Sequence, residues 1–187
     1  MAKRALIIVA EEAEEMEVVI TVDVLRRAGV EVHVAGLDGP GLVTCSRGVK
    51  LEPDVALADA QGPYDLVILP GGLGGVRRLS ASAAVGALLR EREAAGEKVA
   101  AICAAPATLV EHGVYRGRRM TSHPSVKAAV EAHATRLDDR VVVDGPLVTS
   151  QGPGSAFEFA LELARELAGP AKVAEISPGM ILPRAGA

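Results

Sequence analysis

Short runs of aliphatic and β-branched residues alternate along this chain with stretches whose apolar residues recur at helical spacing. That alternation constrains its fold more than any other feature. Ala5–Ala10 (ALIIVA), Glu31–Gly36 (EVHVAG), Leu66–Leu69 (LVIL) and Val99–Ile102 each read as a strand, the first and last of them buried on both faces. Between them, Glu14–Ala28 carries Val18, Val22, Leu25 and Ala28 on one stripe closed by Gly29. Ser82 reads as the N-cap of a helix over Ala83–Ala95, with Val85, Leu88 and Leu89 inward and Gly96 at its end. Phe157, Ala160, Leu161, Ala164 and Ala168 predict a helix over Ser155–Ala168, ended by Gly169-Pro170, with a short helix to follow over Ala171–Ile176. Val141–Val143 and Leu147–Thr149 flank Asp144-Gly145-Pro146 as a hairpin. Strands separated by helices require right-handed crossovers and so a parallel sheet covered on both faces. The expected fold class is α/β: flavodoxin-like, doubly wound, a mostly parallel sheet with helices on both faces.

At 187 residues the chain is long enough to bury a core without a disulfide or metal staple, and it shows no repeat or linker, so a single domain over 1–187 is expected. Aromatic residues are only 2%, which leaves the core to Ala, Val, Leu and Ile and removes base stacking as a binding device. Net charge is −4 and basic residues never cluster beyond pairs such as Arg77-Arg78, so neither sequence-specific nucleic-acid binding nor an anionic membrane surface is indicated. The longest uncharged stretches, Val99–Val110 and Leu66–Val76, fall well short of the ~20 apolar residues that span a bilayer. Lys3 and Arg4 precede an apolar run, but Glu11-Glu12-Ala13-Glu14-Glu15 follows at once, so the segment is read as a first strand rather than a signal peptide. Cys45 and Cys103 are the two cysteines, too few for a disulfide framework or a metal site, and a reducing, cytoplasmic setting is expected.

In a doubly wound fold, reactive groups collect at the carboxyl ends of the strands. Three such ends stand out: Glu11–Glu17 after the first strand, Pro70-Gly71-Gly72, and Cys103-Ala104-Ala105-Pro106. In the last, an apolar strand runs into a cysteine, two small residues follow, and Pro106 stands where a helix begins. A thiol there faces unpaired N–H groups and the positive end of a helix, which favour the thiolate, and the small residues' amides could hold an oxyanion. The residues alone leave two readings open for Cys103, a buried inert thiol and a nucleophile. Glu17 has two as well: the last of five glutamates in an acidic first turn, or a half-buried carboxyl of raised pKa able to donate a hydrogen bond. His123, in the polar loop Thr121-Ser122-His123-Pro124, suits a site edge; His33 alternates inside a strand, and His112 and His133 are assigned to solvated helix faces.

Ala13-Glu14-Glu15-Met16-Glu17, Pro70-Gly71-Gly72, Ala101-Ile102-Cys103-Ala104-Ala105-Pro106, Thr121-Ser122-His123-Pro124 and Gly152-Pro153-Gly154 together resemble the DJ-1 branch of the DJ-1/ThiJ/PfpI superfamily, in register from Lys3 to about Leu182. The resemblance implies a homodimer in which Cys103 is the reactive thiol, Glu17 its hydrogen-bonding partner and His123 a neighbour. It also implies that Gly71, Gly72 and Ala104 supply backbone amides around the substrate oxygen. Such proteins are described as glutathione-independent glyoxalases, as deglycases of early methylglyoxal or glyoxal adducts on proteins and nucleotides, and as redox-dependent chaperones or oxidative-stress sensors. The substrate implied is a small aldehyde or a glycated protein or nucleotide. No metal or organic cofactor is required, because sulfur supplies the nucleophile and the carboxyl the acid–base step. Cys45-Ser46-Arg47 matches a second, peripheral family cysteine near the dimer interface, a secondary redox position.

Three departures stand out: Glu52 where some relatives have a third cysteine, Gln151 where an arginine is common, and Ala105 where glycine is frequent, the last expected to tighten the turn after Cys103. The first helix also carries Val18, Val19, Ile20, Val22, Val24 and Leu25, apolar on more than one face. Val19 and Val24 are expected to face water in a monomer and so to meet a partner copy, unless Ile176–Pro183 covers them within the chain.

Overall fold

The first strand has no polar face: Ala5, Ile7 and Val9 enter one apolar core while Leu6 and Ile8 enter another, and all five are buried. This is the expected signature of a central parallel strand with helices on both sides. A computed structural model describes residues 2–182 of the chain. In chain order its elements are β1 (Arg4–Val9), α1 (Glu15–Arg27), β2 (Glu31–Gly36), β3 (Val43–Thr44), β4 (Lys50–Leu51), β5 (Val55–Ala56), β6 (Leu66–Leu69), α2 (Leu73–Ala81), α3 (Ala83–Ala95), β7 (Lys98–Ile102), α4 (Pro106–Glu111), β8 (Arg119–Met120), α5 (Lys127–Glu131), β9 (Thr135–Arg136), β10 (Val141–Asp144), β11 (Leu147–Ser150), α6 (Ala156–Ala168) and α7 (Pro170–Met180).

Seven strands form the central sheet in the order β10-β11-β7-β6-β1-β2-β5, parallel except for the β10–β11 hairpin. From β1 the winding proceeds one way to β2 and the other way to β6 and β7. The carboxyl ends of β1, β6 and β7 therefore meet at the point where the strand order reverses, which is where open α/β sheets bind ligands. This is the expected flavodoxin-like arrangement. Among the described residues, no helix is long and apolar enough to cross a membrane.

One core lies between the sheet and α1, α6 and α7; the other lies between the sheet and α2 to α5. Local signals fix the helix ends as anticipated: Ser82 Oγ accepts the Val85 N–H at 3.3 Å, and Gly96 closes α3 in a left-handed conformation. Four readings change. Helix α2 was not foreseen, because Gly74 and Gly75 discourage helix locally, yet packing against Glu12 and Ala13 leaves room for nothing larger. The final helix runs to Met180 through an internal Pro178, rather than stopping at Ile176. His112 and His133 are not on solvated faces: His112 Nε2 lies 3.2 Å from the Leu79 carbonyl, and buried His133 Nε2 lies 2.7 Å from that of Val114. Val24 is fully buried against α6 and the sheet, whereas Met16 and Val19 stand 51% and 48% exposed, so the outward apolar stripe of α1 is narrower than expected. Helix α7 packs on α6 and leaves that stripe uncovered up to Leu182; Pro183 lies outside the described residues.

Phe159, on α6, is a fully buried aromatic ring of the core beneath α1. Phe159→Ala should cost about 3–5 kcal/mol through lost burial and an unfilled cavity, read as a lower urea midpoint with an unchanged m-value.

Candidate active site

Glu17 enters the protein on the first turn of α1, and its carboxyl is fully buried behind the end of β1. Its Oε2 accepts the N–H of Gly71 at 2.6 Å, and the carboxyl lies beside the Cys103 thiol. Oε1 has no hydrogen-bond partner among the described residues. Burial is the main reason that the carboxyl is pushed up, to about 7, with the charge of Glu14 adding to it and the Gly71 and Cys103 hydrogen bonds opposing it. It is more deeply buried than the half-buried group read from its helical face.

Cys103 follows β7 directly and adopts φ = +64°, in the left-handed region that a non-glycine residue occupies only when its surroundings hold it. Two backbone hydrogen bonds do so: its N–H donates to Ser150 at 2.9 Å, and its carbonyl accepts the N–H of His123 at 2.7 Å. The strain projects the side chain off the sheet while Pro106 starts α4, as in the strand–turn–helix elbows that present nucleophiles. The thiol is pushed up to about 12, chiefly by burial and next by the Glu17 charge, while the N–H groups of Gly72 and Ala104 pull it down. The local amides favour the thiolate as expected, but burial and the Glu17 charge outweigh them while the carboxyl is ionised. The two groups cannot both be charged at this separation, so one proton serves both. When the carboxyl holds it, the charge that raises the thiol is gone and three donors surround the sulfur.

Gly71 and Gly72 make this closeness possible. A Cβ on Gly71 would stand 2.5 Å from the Cys103 Cβ and 2.7 Å from Glu17 Oε2. Gly72 sits at φ = +87°, and a Cβ there would meet the Glu12 carbonyl at 2.3 Å. The Gly71 N–H is committed to Glu17, so of the three amides expected around a substrate oxygen only those of Gly72 and Ala104 face the sulfur. Ala105 has φ = −61°, open to any residue, so alanine there does not tighten the turn.

Cys103, Gly72, Ala104 and His123 line one cavity of about 330 Å³. The Ser125 N–H donates to His123 Nδ1 at 3.1 Å, so a neutral ring carries its proton on Nε2. Sequence reasoning did not single out Glu12, Glu14, Arg47, Arg77 and Ser125, which line the same cavity. The acidic run was the available signal. Its members diverge in the fold: Glu11 accepts the Thr44 N–H, Glu14 and Glu15 bind Ser46, and Glu17 alone reaches Cys103. Cys45 lies elsewhere. It is buried in the α1-side core and pushed up to about 11 by burial and the charges of Glu15, Glu11 and Glu14, all of which disfavour its thiolate.

The DJ-1/PfpI family model matches residues 3–166. The chain belongs to the DJ-1/PfpI family. Within it the DJ-1 branch is the near kin. The protein is 52% identical to "Protein dj-1beta" of Drosophila melanogaster over 184 residues, 97% of this chain and 98% of that protein. The crystal structure of Drosophila melanogaster DJ-1beta superposes with a TM-score of 0.95 at 51% identity, covering 98% of this chain and all of that one (100%). "Glutathione-independent glyoxalase DJR-1.2" of Caenorhabditis elegans is 42% identical over 173 residues, 91% of each chain.

Because this DJ-1/PfpI member holds the Glu17 proton more tightly folded than unfolded, stability falls as pH rises from about 4.5 to about 7. Linkage puts the full loss at about 3 kcal/mol. Glu17→Gln keeps the shape and cannot ionise, so urea titrations at about pH 5 and about pH 8 should show the variant gaining about 2–3 kcal/mol on the parent between them.

Proposed function

We propose that this chain is a glutathione-independent glyoxalase that converts methylglyoxal, or the same dicarbonyl carbon in an early protein or nucleotide adduct, through Cys103. The observation that carries the reading is the Glu17–Cys103 contact, a nucleophilic sulfur beside a carboxyl whose pKa of about 7 lets it both give and take a proton near neutrality. The printed name of the Caenorhabditis elegans relative supports the reaction class. In the proposed sequence the Cys103 sulfur bonds to the aldehyde carbon, and the new alkoxide, facing the Gly72 and Ala104 amides, takes a proton from the pair. Glu17 then removes the hydrogen from that carbon as a proton and returns it to the neighbouring carbonyl carbon, while the hydroxyl proton on the first carbon passes to the second carbon's oxygen with His123 Nε2–H assisting, which leaves a thioester. One carbon is oxidised as the other is reduced, so no external redox partner is needed. Water cleaves the resulting thioester, releasing lactate and restoring the thiol. Lactate formation from methylglyoxal should be lost in Cys103→Ser, and Glu17→Gln should lower kcat by about 10²–10⁴-fold. Full activity in Cys103→Ser would remove the mechanism.

A second reading, a redox sensor or redox-dependent chaperone in oxidative-stress protection, draws on Glu17 Oε1, a buried oxygen without a hydrogen-bond partner among the described residues. On a protonated carboxyl it could donate to a Cys103 sulfinate and arrest oxidation there. Negligible turnover together with a selective two-oxygen adduct after mild peroxide, read by intact mass, would favour the sensor. Two free cysteines fit a reducing compartment such as the cytoplasm.

The proposed assembly is a two-fold homodimer through α1. Met16 and Val19 are exposed there, beside a recess of about 280 Å³ lined by Val18, Val22, Val34 and Leu51. A two-fold interface meets itself, so one introduced charge appears twice. Light scattering should give about twice 19.3 kDa, reduced toward one chain by Val19→Asp.

A further inference from the structure

The strain at Cys103 has to be held by something, and the contacts that hold it close into a ring. The Cys103 N–H donates to the Ser150 carbonyl at 2.9 Å. The next residue, Gln151, turns its side chain back and donates from Nε2 to the Asp138 carbonyl at 2.8 Å. The Asp138 carboxylate pairs with Arg136 Nη1. Arg136 Nη2 donates to the Ser122 carbonyl at 3.3 Å. Across the same peptide unit, the His123 N–H donates to the Cys103 carbonyl at 2.7 Å and returns the ring to its start.

Arg136 is the unusual member. It ends β9, yet its side chain is only 4% exposed, whereas its partner Asp138 is 84% exposed. A guanidinium drawn inward from its own counter-ion needs a reason, since burying an incompletely paired charge is costly. Its Nε has no hydrogen-bond partner among the described residues, so neither burial nor saturation of its donors explains the placement. What the placement does accomplish is to set a positive charge on the carbonyl side of the 122–123 peptide, whose N–H side holds Cys103. A cation on the acceptor end of an amide polarises it and strengthens the bond that its N–H donates. The β8–β9 pairing, with the Leu137 N–H donating to Met120 at 2.8 Å, delivers Arg136 to that spot.

We propose that Arg136, fastened by Asp138 and Gln151, is a positioning residue that clamps the Ser122–His123 peptide against Cys103 and so maintains the left-handed conformation of the elbow. It touches no reacting atom; it acts through one peptide group on both the nucleophile and His123. The clamp itself follows from the contacts, and only its turnover readout rests on the glyoxalase reading above.

Amide hydrogen exchange in the full-length protein tests it directly. Arg136→Met keeps the buried stem and removes the donors. Exchange at the His123 amide should rise by about tenfold or more while Ile7 and Ile68 in the central strands keep their protection, and kcat with methylglyoxal should fall by about tenfold at nearly constant KM. Arg136→Lys, which can still reach the Ser122 carbonyl, should recover part of both. Should Arg136→Met fail to fold, Asp138→Ala and Gln151→Leu open the same ring without removing the buried cation, and faster exchange at His123 in either supports the clamp. Parent-like protection of His123 in the variants that fold would overturn it. Faster exchange in a protein that makes no lactate would sink the glyoxalase reading and leave the clamp standing.

Discussion

The buried hydrogen bond from the Gly71 N–H to the Glu17 carboxyl, with the Cys103 thiol against the same carboxyl, is the contact on which the site depends. It joins the first turn of α1 to the residues that follow the ends of β6 and β7. An ionisable group taken out of water must either find donors or keep its proton. Glu17 does some of both, with one strong donor at Oε2 and none among the described residues at Oε1, and a pKa pushed up to about 7 follows. A carboxyl at that pKa is a poor surface charge and a suitable proton carrier at neutrality.

Closeness of this kind has to be allowed by the backbone. Gly71 lets β6 approach Cys103 to a distance at which any side chain would collide, and Gly72 turns away in a conformation that L-residues avoid. On the opposite side Cys103 adopts a similar left-handed conformation without being a glycine, and there the cost is borne by hydrogen bonds to Ser150 and His123. The two sides of the site thus solve the same geometric problem differently, one by deleting a side chain and the other by bracing the backbone. A reactive side chain cannot be deleted, so the bracing falls where the thiol is.

The DJ-1/PfpI fold explains why these pieces meet. Parallel strands with helices on both faces put every strand's carboxyl end on one edge, and the reversal of winding beside β1 opens a crevice there. The rest of the molecule, from the Phe159 core under α1 to the α2–α5 layer, keeps that edge in register. Among the acidic residues after β1, Glu17 in the first turn of α1 reaches Gly71, whereas Glu11, Glu14 and Glu15 pin the Ser46–Arg47 turn and the adjoining strand.

Much of this was legible from residues in order. Period-two and helical stripes are local, so strands such as Leu66–Leu69, helices such as Ala156–Ala168 and the hairpin around Gly145 could be read directly, and their alternation dictates a doubly wound sheet. The elbow was visible as a strand running through Cys103 into Pro106. What remained hidden depended on what each residue meets across the fold. Helix α2 forms against its own glycines because Glu12 and Ala13 press on it. His133 is buried against the Val114 carbonyl, and the Cys45 thiolate is disfavoured because the core closes over it and acidic neighbours surround it. Arg136 is an ordinary arginine in sequence, and only the tertiary structure brings it beneath the Ser122 carbonyl. The sequence by itself determined the elements, their alternation and the residue types capable of chemistry, since these follow from local periodicity. The tertiary structure alone decided which carboxyl is desolvated, which amide is left for the sulfur and what braces the strained cysteine, since burial and hydrogen-bond partners are set by residues far apart in the chain.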